Sequence, residues 1–215
     1  MPDLTQLAIY FAAALVLAIT PGPGIFYVAA RTLAGGRAEG VASSFGTGLG
    51  GLVHVLAGSV GVSAIVLASA ELFAAMKLIG AAYLIWVGIR TFQSARRHPT
   101  GLDVGSAPRA TGTRRAFREG VLVEALNPKT AAFFLAFVPQ FLDPTKGHVA
   151  FQFLVLGFVS VALNTLADIV VAVAANGLRE GAAARPWLVR RLREGSGAAM
   201  IALGIGLTLA KRPAA

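Results

Sequence analysis

The chain has 215 residues, of which 56% are hydrophobic and only 13% charged, against roughly 25% charged in ordinary soluble domains. So few polar side chains cannot cover a water-soluble globule of this size, and a bilayer is the natural solvent. The absence of cysteine excludes disulfide staples, thiolate metal sites and thiol relays. The formal charge of +9 leaves nucleic acid as a class to be tested against the placement of the basic residues.

A helix rising about 1.5 Å per residue needs about 20 mostly apolar residues to cross the hydrocarbon. Six runs qualify in chain order: Leu4–Ala30, Val41–Ser69, Leu72–Phe92, Phe117–Leu142, Val149–Leu178 and Gly195–Ala210. The last is short and glycine-rich, with Lys211 and Arg212 directly after it. The first follows Asp3 without any basic residue before it, so it reads as a retained span and not a secretory signal.

Fourteen of the nineteen basic residues lie in the odd-numbered loops: Arg31 and Arg37, then seven from Arg90 to Arg118, then five from Arg179 to Arg193. Lys77, Lys146, Lys211 and Arg212 lie on the opposite side, and Lys129 inside span four. Positive-inside bias therefore makes the odd-numbered loops cytoplasmic and both termini external. It also explains the basic balance without a nucleic-acid partner. Residues 94–116 form a basic linker suited to anionic lipid, while Tyr83, Trp86 and Trp187 sit where interfacial aromatics are expected.

The linker separates two halves that echo each other. Ile19-Thr20-Pro21-Gly22-Pro23 interrupts the first span of one half, and Leu126-Asn127-Pro128-Lys129-Thr130 the first span of the other. His54 and Asn164 then place a polar residue at comparable depth in the next span of each. With three spans per half, residues 1–93 and 117–215 become inverted-topology repeats with broken first helices, an arrangement typical of transporters. The expected fold is an all-α integral membrane protein of six transmembrane helices.

Pro21 and Pro23 release the carbonyls of Leu17 and Ile19. The N–H groups of Gly24, Ile25 and Phe26 then open a half-helix whose positive end suits a carboxylate. Thr20, Pro21, Gly22, Pro23 and Gly24 are thus candidate substrate-binding residues, the plainer reading being a proline bend filled by neighbours. Pro128 similarly frees the carbonyl of Glu124 and is flanked by Asn127 and Lys129.

Away from the span ends the charged residues are Glu124, Lys129 and Asp168, and intramembrane charges usually face a cavity or partner. Positions 124 and 129 are five apart, poor spacing on an ideal helix, so Asp168 is the better expected partner for Lys129. The pair is either a static ion pair or linked to protons or substrate. Ser160, Asn164 and Asp168 share one helical face. Ser44, Thr47, Gly51, His54 and Gly58 recur at helical spacing in span two, where Gly46-x-x-x-Gly50 favours close helix packing. His54 reads equally as a structural or a pH-responsive residue.

Catalytic and metal motifs are absent: no His-Glu-x-x-His, no phosphate-binding glycine loop and no His-rich site. Pairing Ser59 or Ser160 with His54 lacks a nucleophile turn. No enzyme activity, cofactor or metal is expected.

Together these residues resemble the LysE/RhtB family of bacterial amino-acid exporters. The likeness spans essentially the whole chain and is carried by Thr20-Pro21-Gly22-Pro23, the glycine-rich second span ending near His54, Asn127-Pro128-Lys129-Thr130, Phe133-Phe134 and Pro139-Gln140-Phe141. It implies an inner-membrane carrier that exports small amino acids or related metabolites with the proton motive force. On that expectation a substrate carboxylate approaches the half-helix after Pro23 and its ammonium meets freed carbonyls or Asp168. Protonation of Asp168, and secondarily of Glu124 or His54, would then couple transport to protons. A passive channel or a non-transporting scaffold is the alternative, and glycine-lined faces permit a homodimer.

Overall fold

A computed structural model of the chain describes residues 4–68, 70–97, 110–181 and 186–209. The ends of the second and sixth predicted spans, most of the basic linker and the residues after 209 lie outside the described residues, as does the side chain of Trp187. Among the described residues the fold is all-helical: α1 (Leu4–Ile19), α2 (Pro23–Ala68), α3 (Ala70–Arg97), α4 (Thr113–Ala125), α5 (Pro128–Ala132), α6 (Val149–Gly181) and α7 (Pro186–Leu209).

The first predicted span is broken at Thr20–Gly22, and Pro23 opens α2, where its fixed φ and missing N–H cost least. The predicted loop carrying Arg31 and Arg37 is not a loop. Helix continues through it except at Gly36, whose φ of 79° and ψ of −174° are open to glycine and strained for other residues. One residue therefore does the work assigned to ten. The second break falls at Leu126–Asn127, where Asn127 accepts the Lys129 N–H at 3.0 Å and Pro128 starts α5.

The chain then passes through a π-helical turn (Phe133–Phe137) and a 3₁₀ turn (Val138–Phe141). Asp143 caps the next turn through the Thr145 N–H. Its carboxyl is held below the usual aspartate range, chiefly by the Thr145 hydroxyl and then by Lys146. Gln152 ties this turn to the start of α6, donating to the carbonyls of Asp143 and Gly147 and accepting the Asp143 N–H.

Small residues set the helix pairs. Gly40, Gly48, Gly51 and Gly58 of α2 lie against Ala172, Thr165, Val161 and Phe153 of α6, and Gly157 of α6 lies against Val55. As numbers rise on α2 they fall on α6, so the two are antiparallel. Gly88 of α3 meets Gly197 and Ile201 of α7, while Gly204 meets Ala81 and Ile85, again antiparallel. Between α2 and α4 the contact is backbone to backbone. A Cβ at Gly120 would stand 2.8 Å from the Ser43 carbonyl oxygen, and Gly46 and Gly50 abut the carbonyls of Phe117 and Val121. Only glycine permits that approach, as the Gly46-x-x-x-Gly50 spacing predicts.

Pro23–Val62, Ala74–Gln93 and Val149–Gly177 are long and apolar enough to cross a bilayer, and the pair Thr113–Ala125 with Pro128–Phe141, bent by 43°, makes a fourth when taken as one span. α1 is a shorter apolar helix of 16 residues. α7 starts well before the predicted sixth span and brings Arg190, Arg191, Arg193 and Glu194 into the helix, where an Arg190–Glu194 pair at 2.9 Å supports its first turns.

Candidate functional site

The two breaks meet, and the charged residues of the second serve the first. The Lys129 ammonium donates to the carbonyls of Thr20 at 2.9 Å and Leu17 at 3.3 Å, at the C-terminal end of α1. The Leu17 carbonyl, which loses its Pro21 donor as expected, also accepts the Thr20 N–H at 3.2 Å, and Lys129 serves the Thr20 carbonyl where Ile19 was expected. The negative end of α1 adds to the attraction. Lys129 is only 5% exposed and forms no ion pair with Asp168, contrary to the sequence expectation: the backbone acceptors at the end of α1 lie nearer.

The Glu124 carboxylate, also buried, accepts from Thr130 Oγ1 at 2.6 Å and Asn127 Nδ2 at 2.9 Å. Its Oε2 lies 2.7 Å from where a Gly24 Cβ would be, so it rests against the positive first turn of α2. The carbonyl of Glu124, which Pro128 was expected to leave free, accepts the Asn127 N–H at 3.0 Å and His54 Nε2 at 2.9 Å. A carbonyl oxygen only accepts, so Nε2 carries the hydrogen. The His54 ring stacks on Phe134, centroids 6.1 Å apart and planes at 6°. Its role in this arrangement is to cap a broken helix.

Asp168 stands apart from Lys129 and is fully buried. Its Oδ2 is 2.7 Å from Thr47 Oγ1, which is also 2.8 Å from the Ser44 carbonyl, and its Oδ1 has no hydrogen-bonding partner in the protein.

Between the breaks lies a cavity of about 20 Å³, lined by Leu17, Thr47, Glu124, Thr130, Phe133, Phe134, Ser160 and Asn164 among others. That volume holds a water molecule or two and is too small for a free amino acid. The cavity joins the expected Glu124 and Asn164 to Thr130, Thr47 and Ser160. Pro21, Gly22, Pro23, Gly24, Asn127, Lys129, His54 and Thr20 stand behind its walls, holding the breaks.

Two further groups tie the helices around the breaks. Tyr10 of α1, buried against Phe133, Phe137 and Phe141, donates to the Leu156 carbonyl at 2.8 Å and meets Ser160 Oγ at 2.6 Å. At the arginine-rich end, Tyr27, Arg31 and Glu39 of α2 grip α4 and its approach. Glu39 Oε1 accepts the N–H groups of Thr111 and Gly112 at 2.8 and 2.6 Å. Arg31 donates to Thr111 Oγ1 at 2.9 Å and pairs with Glu119 at 3.4 Å, and the Tyr27 hydroxyl lies 2.9 Å from the Ala116 carbonyl. Sequence reading missed Tyr10 and Glu39 and counted Arg31 only as a topology marker. The available signals were a hydroxyl-bearing aromatic in an apolar run and a carboxylate three residues past a glycine.

Similarity to known proteins shows the family. Residues 15–211 match the family model described as LysE type translocator. A membrane protein of Vibrio cholerae is 33% identical over 73% of the chain and 74% of its own length. A homoserine/homoserine lactone efflux protein of Salmonella typhimurium is 31% identical over 72% and 73%, and a leucine efflux protein of Enterobacter sp. (strain 638) is 26% identical over 68% of each. No solved structure matches. The chain belongs to the LysE type translocator family.

Proposed function

We propose that this protein is a secondary active exporter of amino acids or closely related small metabolites in the bacterial inner membrane, driven by the proton motive force. The observation that carries the reading is the small cavity held between two broken helices, with the Glu124 carboxylate, the hydroxyls of Thr47, Thr130 and Ser160 and the Asn164 amide among its lining. A carrier needs such a compartment. A passive pore needs a continuous opening, and a scaffold needs no buried polar site. Relatives named for efflux of homoserine, its lactone and leucine support small amines as cargo.

In this reading residues 1–93 and 117–215 are inverted repeats joined by the linker 94–116. The antiparallel pairs α2 with α6 and α3 with α7 support it, as do breaks in corresponding places. The odd-numbered loops are cytoplasmic, so the Tyr27–Arg31–Glu39 latch closes the cytoplasmic side and the Tyr10 group the external side. Alternating release of the two exposes the cavity to each side in turn.

Asp168 is the proton carrier of this scheme. Thr47 has one hydroxyl hydrogen and two acceptors within 2.8 Å. A protonated Asp168 donating to Thr47, which in turn donates to the Ser44 carbonyl, satisfies both contacts, whereas an ionised Asp168 leaves one without a hydrogen. Counterflow and pH-gradient-driven uptake in proteoliposomes test the scheme over a panel of amino acids. Wild-type protein shows saturable counterflow and gradient-driven uptake, and Asp168→Asn keeps counterflow but loses the response to the gradient. Wild-type gradient response in Asp168→Asn removes the proton role, and absence of counterflow for every compound removes the exporter.

A further inference from the structure

We propose that the exposed face of α4 is a binding site for one anionic phospholipid, whose phosphate lies between Arg114 and Arg118 while an acyl chain runs along Leu122 and Leu126. The site is separate from the cavity between the breaks and does not depend on the exporter reading. It narrows the lipid contact expected of residues 94–116 to two arginines and carries it past the linker, onto the span itself.

Spacing along α4 supplies the first argument. Arg114, Arg118, Leu122 and Leu126 follow one another at intervals of four, so they share one helical face. Helical hydrogen bonding reaches the last of them, the Leu126 N–H donating to the Leu122 carbonyl at 3.0 Å. All four are exposed, Leu122 by 61% and Leu126 by 78%. The bent span of Thr113–Ala125 with Pro128–Phe141 begins one residue before Arg114, which sets the arginines at the polar boundary of the bilayer. At about 1.5 Å per residue the two leucines lie about 12 and 18 Å further along the axis than Arg114, at the level of hydrocarbon. A phospholipid presents the same order over the same lengths, charge at the boundary and hydrocarbon below.

Charge supplies the second. A groove of about 660 Å³ runs along this face, lined by Thr113, Arg114, Arg115, Arg118, Glu119 and Leu122 among others. Glu119 is the one carboxylate in that lining and is already matched, by Arg115 at 2.7 Å and Arg31 at 3.4 Å. The side chains of Arg114 and Arg118 have no ion pair or hydrogen bond among the described residues. Two guanidiniums one turn apart, about 6 Å along the axis, can each present a fork of N–H donors to a single phosphate. A zwitterionic lipid brings a cation of its own into the groove, whereas an anionic headgroup leaves its phosphate charge to the arginines. A soluble anion gains nothing from the leucines.

The test titrates the full-length protein in detergent with fluorescent phosphatidylglycerol, using phosphatidylcholine, inorganic phosphate and glycerol phosphate as competitors. Phosphatidylglycerol should be preferred to phosphatidylcholine by at least about tenfold, and Arg114→Gln and Arg118→Gln should each weaken its binding by about fivefold, the contribution of one arginine at a membrane surface. Arg37→Gln removes the same charge from an exposed position on α2 and should bind as wild type. A second measurement leaves the arginines in place. A bimane label on Leu122→Cys should be quenched by brominated phosphatidylglycerol relative to brominated phosphatidylcholine more strongly than the same label on Val60→Cys, an exposed apolar position on α2. Wild-type binding by the double arginine variant, equal affinity for the two lipids, an equal loss in Arg37→Gln, or equal quenching ratios at the two cysteines each overturns the proposal. Displacement of the lipid by inorganic phosphate or glycerol phosphate at matching concentration also overturns it and makes the groove a site for soluble anions.

Discussion

Lys129 shows how a buried charge in a membrane helix can be settled by backbone alone. Its ammonium stands where two carbonyls and the end of the α1 dipole coincide. Lys129→Met strips the Thr20 carbonyl of its donor and leaves Leu17 with the Thr20 N–H alone, and a buried acceptor left unpaired costs about 1–3 kcal/mol. The gain from no longer burying an ammonium offsets part of that, so the protein in detergent should unfold at a lower midpoint by about 1–3 kcal/mol, with Lys129→Arg closer to wild type. An unchanged midpoint for Lys129→Met would show that the carbonyls find other donors. Sequence spacing sufficed to set Lys129 and Glu124 apart as partners. It was silent on the choice between a carboxylate on another helix and an open helix end, because that depends on which is nearer in space. Likewise Pro128 suggested a free carbonyl at Glu124, but nothing in the sequence told that the Asn127 N–H and His54, seventy residues away, would share it.

Breaks and glycines, more than apolar runs, decide how the helices are used. The runs located α3 and α6 closely, because an apolar segment between charged ends has few other ways to satisfy its backbone in lipid. They failed at Gly36, where one residue at positive φ replaces a loop, and at α7, where salt-bridged arginines continue a helix expected to begin later. The latch depends on that turn: Gly35 leaves room for the Glu39 side chain, and Glu39 then holds two backbone N–H groups before α4. Glu39→Ala leaves those N–H groups without a partner. Their hydrogen exchange should rise by about tenfold or more, equivalent to roughly 1.4 kcal/mol of lost hydrogen bonding, while the centre of α6 exchanges as in wild type. Unaltered exchange at Thr111 and Gly112 would mean that Glu39 does not hold this end of α4.

Over the whole molecule, the paired proline motifs made both helix breaks legible. The ties made by Tyr10 and Glu39 were not, since their partners lie more than seventy residues away. The central claim, that this compartment opens to one side at a time, is tested most directly by a single cysteine at Asn164, in a chain that has no other cysteine. In membranes of known orientation, a membrane-impermeant thiol reagent should modify Asn164→Cys from either face when that face is open, never from both under one condition, and an exported amino acid should change which face reacts. Simultaneous labelling from both faces would establish a pore. Lack of labelling under every condition, in a variant that remains folded and inserted, would make the cavity part of the packed core.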